Sequence, residues 1–168
     1  MVRTLAHERD VWLGRNPEPW TPEQEANYHR FFSARVERAL DTGHGSCLLR
    51  HAEYRQLITE ALLHFDGQRY VQLSFVVMPN HVHSIFLQNP EWPLKKIIRS
   101  WKSFPARQIN RLLGRSESLW QRDYFDRLVR DQKHFRNCVN YIRKNPETAG
   151  LPATAFTSYE HEITRAIE

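Results

Sequence analysis

Two apolar runs separated by a short polar turn constrain the fold of this chain more than any other feature. Tyr70–Val77 is rich in β-branched and aromatic residues, and His81–Leu87 has the same character. Met78, Pro79 and Asn80 lie between the two runs and favour a turn. The sequence therefore predicts a β-hairpin, against which the rest of the chain must pack.

Helical periodicity precedes the hairpin. Thr21–Gln24 has the pattern of an N-cap, a proline at the first helical position and a Gln three residues after the cap. This first helix is expected to continue through Val36, Ala39 and Leu40 and to stop at Gly43–Gly45. A second helix is predicted over about residues 51–65, because its apolar positions fall on one stripe and Gly67 follows.

More elements follow the hairpin. A helix is predicted from Pro93 to Gly114, with a kink or break at Pro105. Residues 119–125 form a candidate strand, and residues 131–144 a last helix that Asn145 and Pro146 should end. This order of elements predicts an α+β fold, an antiparallel sheet with helices packed on one face.

Length and charge limit the classes of function. A chain of 168 residues is expected to form one domain over residues 1–168, with an irregular segment over 1–20 and a tail over 152–168. The net charge of +5 favours polyanionic partners, with nucleic acid first and an anionic membrane surface second. No apolar run has the roughly 18 residues of a spanning helix, so a membrane span is not expected. Nucleic acid is kept as the expected partner, and no membrane. Cys47 and Cys138 lack metal-ligand spacing and are expected to be reduced thiols of a cytoplasmic protein.

Two histidines share one face of the second strand. Alternation places His81 and His83 on the same side, while Val82 points away. Paired imidazoles at this spacing can ligate one cation if a third ligand approaches. The alternative is a pair of ordinary histidines at the mouth of a hairpin, one hydrogen-bonded and one solvated.

A tyrosine and an amide occupy the flank of the last helix. Tyr141 lies beside the apolar stripe, and Asn145 follows it by one turn, so both can reach a shared pocket. Tyr141 could instead be a boundary packing residue, and Asn145 a helix-ending residue before Pro146. On spacing alone, Tyr124 is an equal candidate for a reactive tyrosine.

The helix after the hairpin is strongly basic and contains no acidic residue. Such a run can follow a phosphate backbone, although it is equally consistent with a solvated helix face. With one further arginine in the aromatic segment Trp120–Arg127, the candidate DNA-binding residues are Lys95, Lys96, Arg99, Lys102, Arg107, Arg111, Arg115 and Arg122.

These residues together resemble a known family. Val76–His83 is similar to the His-hydrophobic-His motif of HUH single-strand nucleases in their transposase form. Trp120–Asp126, followed by Tyr141–Leu151, resembles the C-terminal signature of REP-associated tyrosine transposases. The resemblance extends from about Tyr28 to Leu151.

The resemblance implies a fold and a chemistry. It implies a ferredoxin-like sheet with the histidines on a central strand, Tyr141 as the nucleophile, and His81, His83 and Asn145 as ligands of Mg²⁺ or Mn²⁺, although Zn²⁺ also accepts histidine. The expected activity is cleavage and joining of single-stranded DNA through a 5′-phosphotyrosine. The expected partners are hairpin DNA with REP-like palindromes, bound by a monomer or homodimer associated with the bacterial nucleoid. Two alternatives remain, a non-catalytic nucleic-acid-binding protein and a metal-dependent phosphoesterase that uses water.

Overall fold

The computed structural model describes residues 2–17, 19–35, 46–121 and 124–167. The chain divides into two compact units, Met1–Gly45 and Ser46–Glu168, and each is described here by itself. The expectation of one domain over residues 1–168 stays a prediction. No helix within the described ranges is long and apolar enough to cross a membrane.

The first unit is helical. Helix α1 (Val2–Arg15) is followed by α2 (Pro22–Tyr28), which continues as a π-helical turn over His29–Ser33. The predicted start of α2 is confirmed, because the Gln24 amide donates to Thr21 Oγ1 at 3.2 Å and the Thr21 amide donates to Gln24 Oε1 at 2.9 Å. The predicted continuation through Val36, Ala39 and Leu40 to Gly43–Gly45 lies outside the described residues.

The prediction of an irregular segment over residues 1–20 is wrong for its first part. Residues 2–15 contain no proline and form α1, which includes Gly14, and the two prolines of this segment, Pro17 and Pro19, come only after Arg15. Trp12 of α1 packs against the rings of Trp20 and Tyr28, with centroids 5.2 and 5.5 Å away. These ring contacts stabilise a helix that has no clear apolar periodicity of its own.

The second unit contains four helices within its described residues. Helix α3 (Ala52–Leu63) confirms the second predicted helix, and α4 (Leu94–Leu112) follows the hairpin. Helix α5 (Gln132–Thr148) and the short α6 (Glu162–Arg165) complete the set, with 3₁₀ turns over Leu48–Arg50 and Ala153–Ala155.

Proline does not end either long helix. Helix α4 passes through Pro105 without a break and stops before Gly114, which has a φ of +62°. Helix α5 begins at the Asp131 cap as predicted but continues through Asn145 and Pro146 to Thr148. Both prolines are buried, so side-chain packing on each side of the lost hydrogen bond holds the helix together.

The predicted hairpin is confirmed. Strands β1 (Tyr70–Val77) and β2 (Val82–Gln88) are antiparallel, with Val77 opposite Val82 and Val76 opposite His83. The third strand, β3 (Thr157–Glu160), pairs with the other edge of β1, so the described strand order is β2-β1-β3. Among the described strands β2 therefore lies at an edge, whereas the resemblance implied a central strand for the histidines.

The third strand is not the one that the sequence predicted. Residues 119–121 and 124–125 have no strand structure, because Leu119 and Trp120 turn into the core beside α4. The expected tail over 152–168 supplies β3 instead. Its Tyr159 ring stacks on Phe75 at 5.2 Å, a cross-strand pair that fixes the register.

The central strand β1 is covered on both sides. Phe75 and Val77 belong to a core cluster with residues of α3 and α4. Val76 packs with Met78 and with Ile142 of α5. The predicted α+β fold with helices packed on an antiparallel sheet is confirmed. The helices cover both faces of the sheet, α3 and α4 one and α5 the other, whereas the sequence predicted helices on one face.

Candidate functional site

The register of the hairpin decides which way the histidines point. Residues opposite each other in an antiparallel pair lie on the same side of the sheet. His83 is opposite Val76, and Ile85 is opposite Ser74, so both project toward the face that α5 covers. His81 shares that side by alternation, and its Nε2 lies 2.9 Å from Nε2 of His83.

Asn80 fixes the proton on His81. Its Oδ1 lies 2.7 Å from Nδ1 of His81, and an amide oxygen only accepts, so Nδ1 carries the hydrogen and Nε2 presents a lone pair. Sequence reasoning treated Asn80 as a turn residue. Its position directly before His81 was the available signal.

Burial keeps both imidazoles neutral at pH 7. It lowers the pKa of His81 to about 4, and burial together with the charge of His81 lowers the pKa of His83 to about 3. Neutral imidazole is the form that binds a metal.

Helix α5 brings Tyr141 to the histidine pair. The ring centroids of Tyr141 and His83 are 5.1 Å apart and the rings meet edge to face at 81°. Tyr141 is 37% exposed, so a substrate can reach this side of the ring. Tyr124 lies in a stretch without helix or strand and makes no ring contact with either histidine in the described structure. The structure therefore groups Tyr141, and not Tyr124, with His81 and His83.

Asn145 presents an unsatisfied oxygen. It lies one turn after Tyr141, is only 3% exposed, and its buried Oδ1 has no hydrogen-bond partner among the described residues. A buried acceptor without a donor costs about 1–3 kcal/mol, and such a group calls for an explanation, for example an ordered water, a bound ion or a catalytic role. A bound cation would satisfy this oxygen.

The donor set fits a hard or borderline divalent ion. Two neutral imidazole nitrogens and one amide oxygen suit Mn²⁺ or Mg²⁺ when water or phosphate completes the shell. No group of three His, Cys, Asp or Glu side chains occurs in the described ranges, so a site here depends on Asn145 or on substrate oxygens.

A salt bridge anchors α5 to the opposite edge of the sheet. Arg143 donates through Nε and Nη2 to the two carboxylate oxygens of Glu160 on β3, at 2.7 and 3.0 Å. It also donates to the backbone oxygens of Thr164 and Ile167, at 2.6 and 2.7 Å. The helix that carries Tyr141 is thereby tied to the last strand and to the end of the chain. Sequence reasoning missed this pair, because it regarded residues 152–168 as a tail.

The predicted basic residues of α4 do not reach the histidine pair. The buried stripe of α4 packs with Phe75 and Val77, on the opposite face of the sheet from His83. Lys102 donates to the Gln121 carbonyl, and Arg115 donates to Asn110 and lies 3.6 Å from Glu117. Arg122 lies outside the described residues. The exposed cations of α4 are Lys95, Lys96, Arg99, Arg107 and Arg111.

Known proteins match the part of the chain that carries this site. Residues 27–145 match the family described as IS200-like transposases, a range that contains both histidines, Tyr141 and Asn145. A Haemophilus influenzae protein named as a candidate REP-associated tyrosine transposase is 28% identical over 109 residues, covering 58% of this chain and 60% of its own length.

A second relative is an uncharacterised protein of the same organism. It is 28% identical over 98 residues, which is 44% of this chain and 52% of its own length. The chain thus spans between half and three fifths of these relatives. No solved structure matches it significantly.

Proposed function

Because the chain belongs to the family of IS200-like transposases, we propose that it cleaves and rejoins single-stranded DNA through Tyr141. The observation that carries this proposal is the edge contact between the Tyr141 and His83 rings, 5.1 Å between centroids. This contact supports Tyr141 as the nucleophile, because a phenol ring meets one of two buried, neutral imidazoles. A tyrosine nucleophile beside a metal-ligand pair is an arrangement suited to phosphoryl transfer.

The reaction conserves the phosphodiester bond. The Tyr141 oxygen attacks the scissile phosphorus and loses its proton to solvent, while the bond from phosphorus to the 3′ oxygen breaks and that oxygen takes up a proton. The products are a 5′-phosphotyrosine and a free 3′-hydroxyl. Attack by another 3′-hydroxyl reverses the step and joins strands, so no nucleotide cofactor is needed.

The residues of the site have separate roles in this proposal. His81, His83 and Asn145 would hold Mg²⁺ or Mn²⁺, which when bound supplies Lewis-acid polarisation of a phosphate oxygen. Asn80 keeps the Nε2 lone pair of His81 directed at the site. The unperturbed pKa of a phenol, near 10, is too high for ready attack at pH 7, so Tyr141 depends on being positioned beside the phosphate.

The substrate proposed is a strand with an adjacent hairpin, such as a REP-like palindrome. The exposed cations of α4, on the far side of the sheet, would hold DNA away from the scissile phosphate. Such a protein would work beside the bacterial chromosome, as a monomer or a homodimer.

One gel experiment tests the proposal. The protein is incubated with end-labelled single-stranded hairpin DNA and Mn²⁺, and the products are separated under denaturing conditions. We expect a covalent adduct that Tyr141→Phe abolishes. Tyr124→Phe is the matched control, because Tyr124 is 39% exposed and Tyr141 is 37% exposed.

The other outcomes identify the alternatives. Cleavage without an adduct would indicate a phosphoesterase that uses water, and binding without cleavage would indicate a non-catalytic binding protein. His81→Ala and His83→Ala should each abolish cleavage and leave most of the DNA affinity, because lysine and arginine contacts to phosphate dominate binding.

A further inference from the structure

One face of α5 carries a row of exposed polar and basic side chains that begins before Tyr141 and continues beyond it. Spacings of four, four, three and four residues keep the row within about 80° of the helix circumference. All of its members are exposed and none is acidic; they are Lys133, Asn137, Tyr141, Lys144 and Thr148.

The two lysines lie on either side of the tyrosine. Lys133 precedes Tyr141 by about 12 Å along the helix axis, and Lys144 follows it by about 4.5 Å. Both are exposed, and neither makes an ion pair with another described residue. Unpaired cations on both sides of a nucleophile suit the phosphates on both sides of a scissile bond.

The neighbouring strand supplies an apolar surface. Ile85 and Leu87 continue the face of β2 that carries the histidines. Ile85 packs against the core cluster that includes Ile142 of α5, which places this face beside the helix. Leu87, two residues after Ile85 on the same face of β2, is 64% exposed and lies about 13 Å along the strand from His83.

We propose that this surface is the binding track for the substrate strand, with phosphates on Lys133 and Lys144 and unpaired bases on Ile85 and Leu87. The proposal rests on the proposed function, because it takes Tyr141 as the point of attack. A single strand offers charged phosphates and apolar base faces side by side, whereas a duplex hides the base faces. The cations of α4 lie on the opposite side of the sheet from Tyr141, so a strand bound along α4 does not pass Tyr141 on the same side.

Equilibrium binding tests the cationic part of the track. The probe is a fluorescent unpaired oligodeoxynucleotide of about 12 nucleotides, within the usual site size for single strands. All variants carry Tyr141→Phe, so that cleavage does not interfere. Lys133→Gln combined with Lys144→Gln should reduce the slope of log affinity against log salt by about 1.4, since each phosphate contact to a single strand contributes about 0.7.

The control removes the same charge elsewhere. Arg136 lies on the other side of α5, about 140° from Tyr141, and Arg165 is exposed on α6. Arg136→Gln combined with Arg165→Gln should leave the slope within about 0.3 of the starting value. Equal slope losses in the two double variants would overturn the proposal.

A second pair of variants tests the apolar part. Leu87→Gln should weaken binding of the normal oligonucleotide about fivefold and should leave binding of an abasic oligonucleotide of the same length unchanged. Leu112→Gln, at a position 62% exposed on α4, should change neither. Equal effects of the two substitutions, or duplex DNA binding as tightly as the unpaired strand, would contradict the track.

These measurements do not depend on catalysis. If the wild-type protein forms no covalent adduct but the lysine and leucine variants behave as expected, the proposed function fails and the track remains. If an adduct forms but the lysine double variant and the control double variant lose the same amount of salt slope, only the track fails.

Discussion

The site concentrates buried polar groups that a core would otherwise exclude. His81 lies against His83, which is opposite Val76 of the apolar cluster around Ile142. Asn145 lies on the same helix as Ile142, and its Oδ1 has no donor among the described residues. Burial also lowers the pKa values of both histidines, which keeps them uncharged. This arrangement costs stability, and a cation bound there would recover it.

Asn145 gives a prediction at this scale. In the absence of metal, Asn145→Leu should leave the free energy of unfolding unchanged or raise it by about 1 kcal/mol, because it removes an unsatisfied buried oxygen. The same variant should lose most of the rise in melting temperature that Mn²⁺ gives the wild-type protein. Thermal unfolding with and without Mn²⁺ measures both effects.

Ser74→Ala is the control for this experiment. Ser74 Oγ is also buried without a partner in the described structure, and Ser74 lies opposite Ile85 on the same face of the sheet. It should show a similar effect on stability and keep the full response to Mn²⁺. A full response in Asn145→Leu would show that Asn145 is not a ligand.

At the scale of elements, the position of α5 decides whether the site exists. One flank of the helix meets His83 through Tyr141, and the other meets β3 through the Arg143–Glu160 salt bridge. The same guanidinium also caps two backbone oxygens near the end of the chain. Both sides of the helix are therefore fixed by polar contacts in addition to the packing of Val139 and Ile142.

The salt bridge gives the second prediction. Arg143→Ala should lower the free energy of unfolding by about 2 kcal/mol, because it removes several charge-assisted hydrogen bonds. At a temperature where the variant is fully folded, the rate of adduct formation at saturating DNA should fall by about tenfold or more, since misplacement of a reacting group by about 1 Å can cost 100-fold. DNA affinity should change little.

A charge exchange distinguishes positioning from a general loss of stability. Arg143→Glu combined with Glu160→Arg should recover part of the rate that either single variant loses. No recovery, together with an unchanged rate in Arg143→Ala, would contradict a positioning role.

Local sequence patterns predicted part of this fold. The hairpin, α3, the cap at Thr21 and the start of α5 at about Asp131 follow from nearest-neighbour chemistry and were predicted correctly. A break at Pro105 and a helix end at Asn145–Pro146 do not occur, because burial of each proline against other elements offsets the lost hydrogen bond. Strand β3 was missed, because its partner β1 lies at least eighty residues earlier in the chain.

The site, like the fold, was predicted only in part from local sequence patterns. Alternation on β2 predicted that His81 and His83 share one side of the sheet. Periodicity on α5 left Tyr124 as an equal candidate to Tyr141, and only the family resemblance favoured Tyr141, whose ring the structure brings against His83. Neither pattern shows which face of the sheet each helix packs against. The α4 cations were predicted to bind DNA because of their charge. Only the packing of Ile97, Trp101 and Ile109 against β1 shows that they lie on the opposite side of the sheet from His83 and Tyr141.

At the scale of the second unit, we therefore expect the two basic surfaces to have different tasks. The α5 row lies beside Tyr141, whereas the α4 face is separated from it by the sheet. Lys96→Gln combined with Arg107→Gln should weaken binding of hairpin DNA and reduce its salt dependence. It should leave the rate of adduct formation at saturating DNA within about twofold of wild type, because these residues contact no reacting atom.

A concentration series of hairpin DNA at two salt levels separates these effects. A fall in the saturating rate with unchanged affinity would place the α4 residues at the reacting centre, against the geometry described here.

The central claim is that Tyr141 forms a covalent bond to a DNA phosphate beside His81 and His83. Its most direct measurement is mass spectrometry of proteolytic peptides after reaction with a single-stranded hairpin and Mn²⁺. The account predicts one peptide that carries a 5′-linked nucleotide on Tyr141, and its absence in His83→Ala. A nucleotide attached to Tyr124, or cleaved DNA with no nucleotide on any peptide, would contradict it.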